Sequence, residues 1–138
     1  MDKSRYRRSP RKGHSLSTAP VFAIIDDDEA LRQALAELLE VSGYDCRTFA
    51  DADGFLSAYA PGRFICLVTD LNLPGKSGLV LQQHMRCMDP GLPVIIISAN
   101  PDALTRSRCL ASGAVAYLIK PIRDQVLLRH LAAALGRC

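Results

Sequence analysis

Long apolar runs are missing from this chain: no stretch approaches the roughly 20 residues that a helix needs to cross a bilayer. The basic N-terminus is not followed by an apolar segment, which argues against a secretory signal. Cysteine is scattered. Cys46, Cys66, Cys87, Cys109 and Cys138 form an odd set with no pair at zinc-site or redox-motif spacing. Reduced thiols without a chemical role are expected, with Cys66, inside an apolar run, as a small core residue. No Ser–His or Cys–His pair is placed to supply a nucleophile, and there is no internal repeat or sign of a second domain. What these absences leave is a soluble, cytoplasmic globular protein. Its 138 residues suit one domain, and a hydrophobic content of 49% is too high for a disordered chain.

Charge is unevenly placed. Residues 1–20 carry Lys3, Arg5, Arg7, Arg8, Arg11 and Lys12 against Asp2 alone, a balance of +5. The rest of the chain has 11 basic and 13 acidic residues and is slightly acidic. Residues 1–19 have no apolar periodicity and are rich in Ser, Pro and Arg, which predicts a disordered basic tail ahead of one domain over 20–138. A solubilising extension explains the tail better than a nucleic-acid contact, because its basic run lacks interleaved aromatics.

From Val21 the pattern alternates. "VFAII", "YDCRTF", "FICLVT", "PVIIIS" and "AVAYLI" read as strands. Between and after them lie helical patterns: "EALRQALAELLEVSG", "DADGFLSAYA" opened by Asp51, "SGLVLQQHMRCM", "PDALTRSRCLASG" and "PIRDQVLLRHLAAALG". All the strands except the second are nearly continuous apolar runs, as for strands covered on both faces. Strict β-α order predicts a (βα)5 α/β fold, a doubly wound parallel sheet of five strands.

In such sheets the reactive site lies beyond the carboxyl ends of the strands. There the first strand offers Asp26 and Asp27, the third Asp70, the fourth Ser98, and the fifth Lys120-Pro121. Three clustered carboxylates repel one another and call for a cation. An all-oxygen donor set without His or Cys suits Mg²⁺, with Mn²⁺ as a substitute. Carboxylates, metal, ammonium and hydroxyl together suit phosphoryl transfer, with Asp70 as the group able to form an acyl phosphate. Asp28 and Glu29 read as a helix cap and a first-turn acid. His84 and His130 fall on helices away from the strand ends, as surface residues.

With these residues the chain resembles the CheY-like receiver domain of two-component response regulators. The resemblance runs from about Val21 to Gly136 and rests on the acidic pair, "TDLNLPGKSG", the "SA" after the fourth strand and "YLIKP". It implies the flavodoxin-like strand order 2-1-3-4-5. It also implies that Asp70 is phosphorylated from a phosphohistidine of a sensor histidine kinase or a histidine phosphotransfer protein. Asp27 would ligate Mg²⁺ directly, Asp26 would hold its waters, and the backbone carbonyl of Asn72 would be a further ligand. Lys120 would pair with the phosphoryl oxygens, and the Lys120–Pro121 peptide would be cis. Ser98 would shift toward the phosphoryl group and Tyr117 would turn inward. Asn72 and Asn100 would tune dephosphorylation. The fourth helix, fifth strand and fifth helix would form the switching face for a downstream protein or a phosphorylation-dependent homodimer.

The resemblance implies no enzyme beyond self-catalysed phosphotransfer to Asp70 and autodephosphorylation. Because the chain stops at Cys138 without a DNA-binding domain, a stand-alone receiver is expected, with the receiver part of a longer DNA-binding regulator as the alternative. An aspartyl-phosphate hydrolase resembling haloacid dehalogenases is the competing class. Its D-x-D nucleophile motif follows the first strand, where this chain has D-D-D, whereas the phosphoacceptor-like loop here follows the third strand.

Overall fold

A computed structural model describes residues 21–136; the basic segment read as disordered over residues 1–19 lies outside them. The chain runs β1 (Val21–Ile25), α1 (Glu29–Val41), β2 (Cys46–Phe49), α2 (Ala52–Ala58), β3 (Phe64–Asp70), α3 (Gly78–Met88), β4 (Val94–Ser98), α4 (Ala103–Ala111), β5 (Ala116–Ile119) and α5 (Asp124–Gly136). All strand pairs are parallel, and the sheet order is β2-β1-β3-β4-β5. This is the expected (βα)5 doubly wound architecture. None of the helices among the described residues is long and apolar enough to cross a membrane.

Apolar strand runs give two cores because side chains alternate across the sheet. Phe22, Ile24, Cys66, Val68, Ile95 and Ile97 pack on one face with Leu35 and Leu39 of α1 and Leu127 and Leu131 of α5. Ala23, Ile25, Leu67 and Ile96 pack on the other with Phe55 of α2, Leu81 and Met85 of α3 and Cys109 of α4. Cys66 is a buried core thiol, as expected, with burial pushing its pKa up to about 12. β2 is the half-exposed edge, which explains its more polar sequence.

Element starts differ locally from the sequence pattern. β2 begins at Cys46; the Tyr44 N–H still donates to the Leu39 carbonyl of α1 at 2.9 Å, and its ring packs edge-on against Phe22, centroids 5.0 Å apart. α4 begins at Ala103, where the Asp102 carboxylate accepts the Thr105 N–H at 3.0 Å as its N-cap. α5 begins at Asp124 rather than Pro121. The cis Lys120–Pro121 peptide that the resemblance implies is present there. Asp28 and Asp51 cap α1 and α2, accepting from Leu31 N at 3.2 Å and Gly54 N at 2.8 Å.

Candidate phosphoacceptor and metal site

Asp26, directly after β1, and Asp70, the last residue of β3, stand on adjacent strands at the carboxyl edge of the sheet. Asp26 is wholly buried and Asp70 nearly so. Lys120, directly after β5, reaches back across the edge. Its Nζ donates to Asp70 Oδ2 at 3.0 Å and stands 3.1 Å from Asp26 Oδ2. One ammonium thus bridges two carboxylates that would otherwise repel each other. Burial alone pulls the Lys120 ammonium down, but Asp70 and Asp26 outweigh it and hold its pKa above the ordinary 10.5.

The other carboxylate oxygens are partly occupied by backbone. Asp26 Oδ1 accepts the Asp28 N–H at 2.8 Å, and Asp70 Oδ1 accepts the Asn72 N–H at 3.2 Å. Asp26 Oδ2 is fully enclosed and no hydrogen bond is directed at it among the described residues, although the Lys120 charge is close. Burial therefore wins, and the Asp26 carboxyl is raised above 3.8 despite the Asp28 N–H and Lys120. Exposed Asp27 completes the group: Asp26, Asp27 and Asp70 each bring an oxygen within 4.8 Å of the others. Three hard oxygen donors, one of them buried and lacking a directed donor, fit a small divalent cation.

Ser98 ends β4 beside this group, since Asp70 pairs with Ile97 in the sheet. Its Oγ accepts the Asn100 N–H at 2.9 Å, and its carbonyl accepts the Lys120 N–H at 2.8 Å. Tyr117 is buried, with its hydroxyl donating to the Asn100 carbonyl at 2.7 Å. The inward turn expected on phosphorylation is therefore the conformation this structure already has. Asn72 and Asn100 are both exposed, but the Asn100 side chain is engaged, its Oδ1 accepting the Asp102 N–H at 2.9 Å. His84 is exposed on α3 and His130 half-buried on α5.

Sequence reasoning missed two site elements. Arg32 of α1 donates from Nη1 to the Asp26 carbonyl at 2.7 Å; nothing in the helical pattern marks it. Gly78, placed by the sequence only at the start of a helical pattern, lies against the end of β3. Its N–H donates to the Leu71 carbonyl at 2.8 Å, closing the loop after Asp70. A Cβ there would strike the Asp70 carbonyl and lie 2.9 Å from Leu71 Cα.

Comparison with known proteins agrees with this geometry. The family model for the response regulator receiver domain matches residues 22–132. Nodulation protein W of Bradyrhizobium diazoefficiens is 35% identical over 126 residues, 91% of this chain and 56% of that protein. Transcriptional regulatory protein FixJ of Azorhizobium caulinodans is 36% identical over 114 residues, covering 83% of this chain and 54% of that one. The chain thus spans about half the length of the curated relatives it matches. Among solved structures, the response regulator StyR superposes with a TM-score of 0.80 at 34% identity, over 86% of this chain and 60% of that one. The beryllofluoride-activated DrrB receiver domain superposes with a TM-score of 0.78 at 27% identity, over 84% of this chain and 97% of that one. The chain belongs to the response regulator receiver family, the phosphoacceptor domains of two-component signalling.

Proposed function

We propose that Asp70 is the phosphoacceptor and that Asp26, Asp27, Asp70 and the Asn72 carbonyl hold Mg²⁺, for which Mn²⁺ can substitute. The donor is a phosphohistidine on a sensor histidine kinase or histidine phosphotransfer protein. An Asp70 oxygen forms a bond to phosphorus as the P–N bond breaks, and the imidazole leaves with a proton. Water later attacks phosphorus as the Asp70 O–P bond breaks, releasing inorganic phosphate and restoring the carboxylate. When bound, Mg²⁺ offsets the negative charge of the transferring group. Lys120 exchanges its contact with Asp70 Oδ2 for the phosphoryl oxygens, and Ser98 donates its hydroxyl to them.

The observation that carries this reading is the Lys120 ammonium held 3.0 Å from Asp70 Oδ2 beside a wholly buried Asp26. A strand-end carboxylate needed only for a turn would not require a cation aimed at it from β5.

The output is a shift between two states read on the α4–β5–α5 face by a downstream protein or a second copy of the chain. The reading places this chemistry in the cytoplasm and gives the chain no turnover on free phosphomonoesters. The chain as the receiver part of a longer DNA-binding regulator is the second reading. It is favoured by the relatives' greater length, the matched region being 54% and 52% of two transcriptional regulatory proteins. Beryllofluoride, which mimics a phosphoryl group, tests the site. With Mg²⁺ it should raise the melting temperature of the wild type and leave Asp70→Asn unchanged. An equal rise in both would overturn the assignment.

A further inference from the structure

Asp26 is fixed at three points. Its N–H donates to the Phe49 carbonyl at 3.1 Å, its Oδ1 accepts the Asp28 N–H at 2.8 Å, and its carbonyl accepts the Arg32 guanidinium at 2.7 Å. Asp27, one peptide further on, is different. It is exposed, and its carboxylate has no hydrogen-bond or ion-pair partner among the described residues. The direction in which Asp27 leaves the strand end is therefore set by backbone alone.

That backbone includes the Asp26–Asp27 peptide, which is planar, so its carbonyl oxygen fixes the plane that Asp27 Cα shares. Arg32 grips this oxygen from the first turns of α1, a rigid element that Asp28 caps. We propose that Arg32 is a positioning residue for the divalent cation: its hydrogen bond to the Asp26 carbonyl orients the Asp26–Asp27 peptide, so that the Asp27 carboxylate faces Asp26 and Asp70. The inference rests on the metal site proposed above. It concerns a residue that touches no reacting atom, with Arg32 supporting a ligand from behind as outer residues do at other metal sites.

Two effects of Arg32 oppose each other. Its positive charge repels a cation, whereas its hydrogen bond holds the ligand in the narrow geometry that Mg²⁺ demands. The sign of the mutant effect separates them. Mg²⁺ affinity is measured calorimetrically on the full chain for wild type, Arg32→Met and Arg32→Ala, both changes to good helix formers. Phosphorylation by acetyl phosphate is then followed across Mg²⁺ concentrations.

Both variants should bind Mg²⁺ about tenfold or more weakly, as for loss of other outer-shell partners. Their phosphorylation rate should return to the wild-type value at saturating Mg²⁺. Unchanged or tighter binding in either folded variant would overturn the proposal, as would a rate deficit that persists at saturating Mg²⁺. A wild type that takes no Mg²⁺ would overturn both this inference and the metal site beneath it. Weak binding confined to the variants would leave that site standing and support the role of Arg32.

Discussion

The hydroxyl of Tyr117 donates to the backbone carbonyl of Asn100 at 2.7 Å, tying the middle of β5 to the loop that follows Ser98. The same loop is held from the other side, since Asn100 N–H donates to Ser98 Oγ at 2.9 Å. Ser98 and Tyr117 are thus coupled through one residue. Tyr117→Phe should remove the tie, cost about 1 kcal/mol of stability, and leave phosphorylation of Asp70 unchanged. Tyr117→Ala should also accept phosphate but bind a downstream partner more weakly. Denaturant titration and a partner pull-down check the two variants. Failure of Tyr117→Ala to be phosphorylated would place the ring in the reaction itself.

Burial raises the Asp26 carboxyl above 3.8 even with the Asp28 N–H and Lys120 beside it. A raised carboxyl contributes stability that is fully present below the unfolded value and is lost as pH rises through the folded value. In metal-free protein, stability should therefore fall as pH rises from 3.8 through the raised native value. Asp26→Asn, neutral and of the same shape, should melt higher than wild type at pH 7 without Mg²⁺. The gain should vanish as pH falls to 3.8. Thermal melts over this range decide it; a lower melting temperature at neutral pH would show that the Lys120 pair dominates instead.

Gly78 lies where the loop after Asp70 closes on β3. Any side chain there meets the Asp70 carbonyl and Leu71 Cα. Backbone on both sides cannot give way cheaply. Gly78→Ala should cost about 3 kcal/mol, the upper end for an overpacked site, and slow phosphorylation of Asp70 by displacing its main chain. A denaturant midpoint equal to wild type would refute the close packing.

Much of this was legible in the residues because strand burial and strand ends leave plain marks. "VFAII", "FICLVT", "PVIIIS" and "AVAYLI" read as strands covered on both sides, and Asp26, Asp70, Ser98 and Lys120 fell at their ends. Other contacts depend on how elements converge. Arg32 looks like any polar helical residue until α1 is folded back over the end of β1. Gly78 reads as an ordinary helix start, since its true constraint is a carbonyl eight residues earlier. Pro121 looked like a helix start, yet α5 begins three residues later, at Asp124. The inward ring of Tyr117 is a conformational choice that no pattern records.

Dephosphorylation should depend more on Asn72 than on Asn100. Neither is a strong general base. The Asn100 side chain already accepts the Asp102 N–H at 2.9 Å, a role that Asn100→Asp can keep. Asn72 is exposed, and its N–H bonds Asp70 Oδ1 at 3.2 Å, next to the carboxylate that would carry the phosphoryl group. Asn72→Asp should change the lifetime of phosphorylated protein several-fold, and Asn100→Asp should change it less. Radiolabel decay in the three proteins measures this; the reverse ranking would contradict it.

The central claim is that Asp70 alone carries the phosphoryl group. Acetyl phosphate with Mg²⁺, followed by intact mass and peptide mapping, tests it most directly. The account predicts one added phosphoryl group per chain, mapped to the peptide containing Asp70, labile at alkaline pH, and absent from Asp70→Asn. A stable label on Asp70→Asn, or on His84 or His130 of the wild type, would contradict it.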